Sequence, residues 1–274
     1  MSGAPTAGGL AVLGHVTLLP GADEVVPIGC KHCGVDHAVR AFADDPRYDA
    51  EVPRTLGRRI DRFSALAVTV VSRLVRSFPT EDPERLGVFV LNSSAGWAYG
   101  EEQLETLVTR GVRSMQPYQA TAWFPAAAQG EVTIRYGILG EAKSVAGYSG
   151  GLGQVWWAAQ DAIEAGAVDR AVVVVAESRV SSFSMLASSP CRDIGEPPVL
   201  AEGAVAVLIE AAVAHTGSPL SVVWRGLHDG AGDPLARASH LGCALDDSPH
   251  SCPIELGDGY ALVPMSGGSA REAA

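Results

Sequence analysis

Short continuous apolar runs interrupt the chain at intervals and predict strands that are covered on both faces of a sheet. The clearest run places four consecutive valines, 172–175, between two alanines, with charged residues on either side. The last stretch, 229–265, predicts a loop and a hairpin with Asp258-Gly259 at its turn. The segments predicted as strands before it are Ala11–Leu19, Leu86–Leu91, Lys143–Gly147, Ala171–Ala176, Ala204–Glu210 and Leu220–Trp224.

Between these strands, apolar residues recur at helical spacing. From Arg58 to about Ser77 they return every three or four positions, which predicts a well-buried helix. Glu101–Arg110 predicts an amphipathic helix, whereas 20–57, rich in Pro, Gly and Asp, predicts no regular element. Strands that alternate with helices predict an α/β layered fold. A further helix carries its apolar residues on one face: Leu152, Val155, Trp156, Ala159 and Ile163.

Composition and charge narrow the classes of function. The chain has 274 residues, of which 47% are hydrophobic, so it holds enough apolar side chains for a core. A formal net charge of −11 argues against nucleic-acid binding through a basic surface and against docking on an anionic membrane. The apolar runs are of strand length, no basic segment precedes the first one, and the five cysteines are an odd number. These features predict a cytoplasmic protein without a disulfide framework.

A glycine-rich turn carries the first candidate chemistry. Gly147-Tyr148-Ser149-Gly150-Gly151 matches G-x-S-x-G between a predicted strand and a predicted helix. Such a turn exposes a nucleophile at a helix N-terminus. A hydrolase triad would add Glu177 or Asp229 and His228 or His240, although no His-Gly-Gly-Gly segment precedes the turn. The alternative is a turn whose glycines let the helix pack against the sheet.

The paired cysteines Cys30 and Cys33, with His37 nearby, raise the question of a metal site. One C-x-x-C is insufficient for a four-ligand zinc site, which would need help from elsewhere in the chain. Two ordinary loop thiols are the simpler interpretation, so no metal is expected and Cys30 and Cys33 remain weak candidates.

Several segments, taken in order, resemble the N-terminal half of a β-ketoacyl synthase (ketosynthase) of the thiolase-like superfamily. The resemblance covers roughly residues 10–230, and 231–274 is divergent, so 1–274 is expected to be a single truncated ketosynthase-like domain with a layered mixed sheet and a buried central helix. The matching segments are Ile60–Ala67, Gly87–Ser94, Pro117–Gly140, Ser144–Asp169, Ala171–Glu177 and Ala201–Glu210.

Three departures from the family pattern bear on activity. The gapless match of the family's nucleophile motif places Ser149 where ketosynthases have Cys. The family's active-site histidines and lysine lie in a C-terminal half that has no counterpart in the sequence, and Glu196–Leu200 replaces a Gly-Phe-containing segment. Decarboxylative condensation needs those histidines to stabilise developing negative charge. The resemblance therefore implies that this chain does not condense acyl groups alone.

Ketosynthase-like chains without the cysteine are familiar as the chain-length-factor subunits of type II polyketide synthases. The resemblance implies a non-catalytic partner of a full-length ketosynthase in polyketide, polyene or fatty-acyl assembly. It implies that the chain forms a heterodimer with that ketosynthase and that acyl carrier protein binds the complex. It implies no cofactor. A half-fold would leave one face of its sheet and central helix uncovered, and that apolar surface must be buried by a partner.

The same alignment implies residues that shape the acyl tunnel at the subunit interface. Gln119 falls where the family has a residue that reaches across the interface, with Trp123 and Phe124 nearby and Trp97 on a second loop. Packing of the dimer core is the other interpretation of these aromatics. Two further functions stay open: an acyltransferase or thioesterase-like enzyme with Ser149 as nucleophile, and a purely structural scaffold.

Overall fold

The computed structural model describes residues 9–29, 34, 36–46, 51–147, 151–182, 199–212, 220–224, 254–257 and 260–264. Within them the strands are β1 Leu10–Leu18, β2 Val25–Gly29, β3 Asp36–Arg40, β4 Leu86–Asn92, β5 Ala142–Ala146, β6 Arg170–Ser178, β7 Val199–Leu200, β8 Glu202–Ala211, β9 Leu220–Trp224, β10 Ile254–Gly257 and β11 Tyr260–Pro264. The helices are α1 Arg54–Gly57, α2 Arg62–Ser77, α3 Trp97–Arg110, α4 Gln119–Ala122, α5 Ala127–Tyr136 and α6 Gly151–Glu164. No helix of these residues is long and apolar enough to cross a bilayer.

Eight strands form one mixed sheet in the order β10-β11-β9-β1-β8-β6-β4-β5. β5, β4 and β6 run parallel, whereas β6 pairs with β8, and β8 with β1, in antiparallel fashion. β5 is therefore the edge strand on the parallel side. A small separate sheet, β2-β3-β7, carries its own cluster of Val39, Ala41 and Ala201.

Helices cover both faces of the large sheet, which confirms the predicted α/β class. α2 and α5 pack on the face that presents Val88, Val90 and Val174. α6 packs on the opposite face, against Phe89, Val173 and neighbouring side chains. Every residue of β4 is buried, as its continuous apolar sequence predicts. α2 is also largely buried, since most of its positions from Phe63 to Leu74 are inaccessible to solvent.

Among the described residues, most of the large exposed apolar side chains lie outside α6. The outward positions of α6 are polar apart from Trp157, which is 54% exposed. Most of the other large exposed apolar side chains of the described residues lie along α3, at the ends of α4 and on or after α5, and they include Trp97, Trp123, Phe124 and Ile134. Thus α6 carries its own polar outer surface, and the uncovered apolar surface belongs to the helices around α4.

One buried ion pair joins the two sheets and α2. The Glu202 carboxylate, fully buried at the start of β8, accepts hydrogen bonds from Arg62 Nε at 2.8 Å and Arg62 Nη2 at 2.7 Å. It also accepts from the Phe42 backbone N–H and from Ser178 Oγ. A carboxylate that is removed from water needs such partners, because its desolvation is otherwise uncompensated.

Arg62→Met should therefore lower the free energy of unfolding by about 3 kcal/mol, because it leaves the Glu202 carboxylate buried without its cation. Arg76→Met is the matched control, since the Arg76 side chain is 63% exposed and its pair with Glu51 contributes no more than about 1 kcal/mol. Urea denaturation measures both variants. An equal decrease in the free energy of unfolding for both variants would show that the buried Arg62–Glu202 pair contributes no more to stability than an exposed pair.

Two glycines predict opposite stability effects. A Cβ on Gly96, before α3, would overlap the Ala122 carbonyl oxygen and Trp123 Cα, whereas a Cβ on Gly130, inside α5, would meet nothing. We expect Gly96→Ala to destabilise the chain by about 1–3 kcal/mol, because backbone must move. Gly130→Ala should stabilise it by about 0.5–1 kcal/mol through helix propensity. Thermal unfolding of both variants checks the signs, and stabilisation by Gly96→Ala would contradict this packing.

Candidate functional site

The candidate site lies at the carboxyl ends of β4, β5 and β6. Ser149 itself, with Tyr148 and Gly150, falls outside the described residues, but the structure fixes both ends of its turn. Gly147 follows β5 and donates its N–H to the Asn92 carbonyl at 3.0 Å, and Gly151 begins α6. The G-x-S-x-G motif therefore joins a strand to a helix, as the sequence predicts.

Gly151 has a clear packing role in this turn. A Cβ at that position would come within 2.5 Å of Leu91 Cδ1 on β4. The glycine thus allows the first turn of α6 to lie directly against the sheet. This contact supports the packing interpretation of the turn and is equally compatible with a nucleophile at its tip.

Glu177, one of the acids considered for a triad, has a structural task. It is fully buried near the end of β6 and accepts hydrogen bonds from the backbone N–H groups of Ser93 and Ser94 and from Ser94 Oγ. Its carboxylate therefore holds the loop between β4 and α3. The other candidate triad members, Asp229, His228 and His240, lie outside the described residues.

The loop between β4 and α3 is strained and tightly held. Ala95 adopts a left-handed backbone with φ 46°, which is uncommon for a residue other than glycine. Asp61 accepts from the N–H of Phe63 at 3.0 Å and from the N–H of Tyr99 at 2.9 Å, so one carboxylate binds the first turns of both α2 and α3. Sequence reasoning missed this role of Asp61, although an Asp directly before a helix is a capping signal.

Two polar atoms beside the turn have no hydrogen-bond partner. Asn92 is fully buried, and its Nδ2 donates to the Pro125 carbonyl at 2.9 Å, while its Oδ1 is unpaired. Ser93 Oγ is also buried and unpaired. Buried polar atoms without a hydrogen-bond partner are uncommon in proteins, and each one calls for an explanation. Sequence reasoning did not single out either residue.

The four residues expected at the tunnel lie around α4 and the start of α3. The Gly96 N–H donates to the Trp123 carbonyl, which brings the start of α3 against the end of α4. Gln119 begins α4, and its Oε1 is buried without a hydrogen-bond partner. The Trp123 and Phe124 rings meet edge to face at 6.2 Å, and both are about half exposed. Trp97 is similarly exposed, so these aromatics do not form a core within the chain.

A charged cluster lies behind α4. The Arg59 guanidinium lies 5.2 Å from the centre of the ring of Tyr118, the residue that precedes Gln119 and α4. Burial raises the pKa of the Glu131 carboxyl on α5, and the charge of Arg59 opposes that increase. The contact between Arg59 and Tyr118 therefore links the segment before α2 to the start of α4.

Metal binding by Cys30 and Cys33 stays a prediction, because both cysteines lie outside the described residues. Among the residues that are described, no group of three or more His, Cys, Asp or Glu side chains could hold a metal ion.

Comparison with known proteins identifies the fold and the relatives. No model of a protein family matches the sequence. The chain is 30% identical over 172 residues to a polyketide β-ketoacyl synthase 2 of Streptomyces cyaneus, a match that spans 60% of this chain and 40% of that protein. It is 25% identical over 268 residues to the actinorhodin polyketide β-ketoacyl synthase 2 of Streptomyces coelicolor, covering 83% of this chain and 64% of that protein. The chain thus spans less than two thirds of either relative's length.

Solved structures show the same fold. A chain in the complex of the ketosynthase ApeO with its chain length factor ApeC from Xenorhabdus doucetiae matches with a TM-score of 0.61 and 17% identity, covering 93% of this chain and 98% of that one. A chain in the AntDE:AntF complex of a type II polyketide synthase carrier protein with its ketosynthase matches with a TM-score of 0.60 and 23% identity, covering 74% of this chain and 63% of that one. The chain is therefore similar in sequence to polyketide β-ketoacyl synthase 2 proteins of Streptomyces, and it shares the thiolase-like fold of the ketosynthase structures.

Proposed function

We propose that this chain is a chain-length-factor-like partner of a full-length ketosynthase in type II polyketide, polyene or fatty-acyl assembly. The observation that carries the proposal is the grouping of three exposed aromatics, Trp97, Trp123 and Phe124, where the start of α3 meets the end of α4. The Asn92 side chain, at the carboxyl end of β4, donates to the carbonyl of Pro125, the residue after Phe124. The relatives' names and the ketosynthase–chain length factor complexes among the structural neighbours support it.

The edge of β5 is a suitable surface for the partner. Val88 donates its N–H to the Glu141 carbonyl, and Gly147 donates to Asn92, so the odd-numbered residues of this segment bond to β4. The N–H and C=O groups of Ala142, Ser144 and Ala146 therefore point away from β4, toward the free edge. Exposed strand edges readily pair with another chain. Ser144 Oγ also donates to Gln129 Oε1 at 3.0 Å, which ties α5 to this edge.

The partner would supply the chemistry. A thiol is partly ionised near neutral pH, whereas the Ser149 hydroxyl needs an adjacent base before it can attack. In the proposed complex the full-length ketosynthase carries the thiolate and both histidines, and acyl carrier protein delivers chains to the complex. The present chain then contributes part of the tunnel wall.

A second function remains worth testing because the flanks of Ser149 have nucleophile-turn geometry. β5, Gly147 and α6 form the strand-to-helix junction that an acyltransferase or thioesterase-like enzyme would use. The two functions differ in whether Ser149 performs chemistry, and a purely structural scaffold would leave both Ser149 and the tunnel residues without effect on the product.

Replacement of Ser149 by alanine should leave product formation by the complex within a few-fold of the wild-type rate, because the partner provides the nucleophile. The measurement is product per unit time from the purified complex with carrier protein and malonyl extender. A loss of roughly 10³-fold, typical of a missing nucleophile, would instead establish the acyltransferase or thioesterase-like function.

Truncation of Trp123 or Phe124 to alanine should lengthen the product, since a longer acyl chain fills the space that the ring leaves. Gln119→Ala and Trp97→Ala complete the series. The control is Leu139→Ala: Leu139 is also exposed, but its N–H donates to Pro83 at the opposite end of the sheet. Mass spectrometry of the products measures chain length. Unchanged length across the series, with the complex intact, would favour the scaffold.

A further inference from the structure

Helix α3 presents an apolar stripe to the outside of the molecule. Of its 14 residues, only Tyr99 and Gln103 are buried. Leu104 is 51% exposed and Val108 is 84% exposed, while Trp97 is 47% exposed. These three lie seven and four residues apart, a spacing that places them on one side of a helix. We refer to Trp97, Leu104 and Val108 as the α3 face.

The α3 face is too apolar to be ordinary helix surface. Helices of globular proteins turn such stripes toward a core, whereas here the core side is occupied by Tyr99 and Gln103. Leu107 and Val112 are also exposed and widen the apolar area. The Gly96 N–H donates to the Trp123 carbonyl, so the start of α3 adjoins the segment that carries the exposed Trp123 and Phe124 rings. Together these side chains form an apolar patch on the order of several hundred Å², a size that marks interaction sites.

The charges around the α3 face define what it can bind. Glu101 lies between Trp97 and Leu104 on the same side of the helix, and the exposed Glu102 and Glu105 border the stripe on one flank. The exposed carboxylates of Glu102 and Glu105 beside an apolar stripe attract a surface that carries Lys or Arg next to its own apolar side chains. A second copy of α3 packed antiparallel about a twofold axis would place this acidic flank against its own copy, and like charges would repel.

We propose that the α3 face is a second contact surface for the ketosynthase partner, where it receives an apolar ridge bordered by Lys or Arg. The inference rests on the proposed function and extends the interface from the β5 edge and α4 to α3. The apolar stripe supplies affinity, because its burial removes exposed Leu, Val and Trp surface from water. The carboxylates supply orientation and selectivity between partners.

The test uses this 274-residue chain and a full-length ketosynthase from a neighbouring reading frame, each purified separately, and measures the Kd by titrating one with the other. Leu104→Glu and Val108→Glu should each raise the Kd at least tenfold, since each places a charge in the apolar contact. Gln154→Glu adds the same charge on the exposed polar side of α6 and should leave the Kd unchanged. Circular dichroism of each free variant confirms that it is folded.

A charge variant tests the acidic flank. Glu105→Lys should raise the Kd by about three- to tenfold and weaken the salt dependence of binding, because it removes one attraction to the partner's cations. An unchanged or lower Kd for Glu105→Lys would contradict the proposal that Lys or Arg residues border the partner's apolar surface. Self-association of the free chain that Val108→Glu abolishes would identify a second copy as the occupant and would also overturn the proposal.

Ala146→Pro separates the two proposals. It removes an N–H on the free edge of β5 without touching a bond to β4, so the proposed function predicts a weaker complex. If wild type binds and Ala146→Pro weakens binding, but both glutamate variants on α3 bind as wild type does, only the α3 face is overturned. If the wild-type chain forms no complex with the ketosynthase, the proposed function and the α3 contact are both overturned.

Discussion

Three carboxylates buried at one end of the sheet hold the loops of the candidate site. Asp61, Glu177 and Glu202 are each 1% exposed or less, and each accepts hydrogen bonds from backbone N–H groups of a loop or helix start. The central strands β4, β6 and β8 are buried on both faces, so polar side chains can find partners only where the strands end. An ionised carboxylate in that position is tolerated only with its full set of donors. The loops are therefore fixed by the same interactions that compensate burial of the charges.

Packing and backbone hydrogen bonding at the two ends of the strand-to-helix turn explain how the turn can form without a cysteine at its tip. The ends of the turn are determined by packing and hydrogen bonding: Gly151 lies against Leu91, and Gly147 bonds to Asn92. Neither contact involves the residue at the tip of the turn. The strand-to-helix junction therefore serves the fold whatever its side chain at 149 does, and the G-x-S-x-G pattern alone does not distinguish a catalytic turn from a structural one.

The layered fold could be predicted from sequence because buried strands and helices leave strong periodic patterns. β4, β6 and β8 each extend no more than two residues beyond their apolar runs, and the five apolar positions of α6 are all buried. β2, β3, α4 and α5 were missed, since they are short or have mixed surfaces. α3 begins at Trp97, four residues before the predicted start. The prediction was wrong there because apolar residues of this helix are exposed, whereas the prediction assumes that apolar residues are buried. The roles of Asp61 and Asn92 depend on contacts between distant segments, which periodicity does not report.

The distribution of exposed side chains also bears on where the proposed partner would bind. A chain that used α6 as its main contact would carry apolar residues on the outer side of that helix, but Gln154, Asp161 and Glu164 are exposed there. Of the exposed aromatics in the described residues, Trp157 lies on the outer side of α6, whereas Trp97, Trp123 and Phe124 lie together at α3 and α4, beside the carboxyl end of the parallel strands. Burial of apolar surface dominates association, whereas exposed carboxylates resist desolvation. The proposed partner would therefore gain most by covering the end of the sheet where β5 ends and α6 begins, with its own surface next to Gln119 and Trp123.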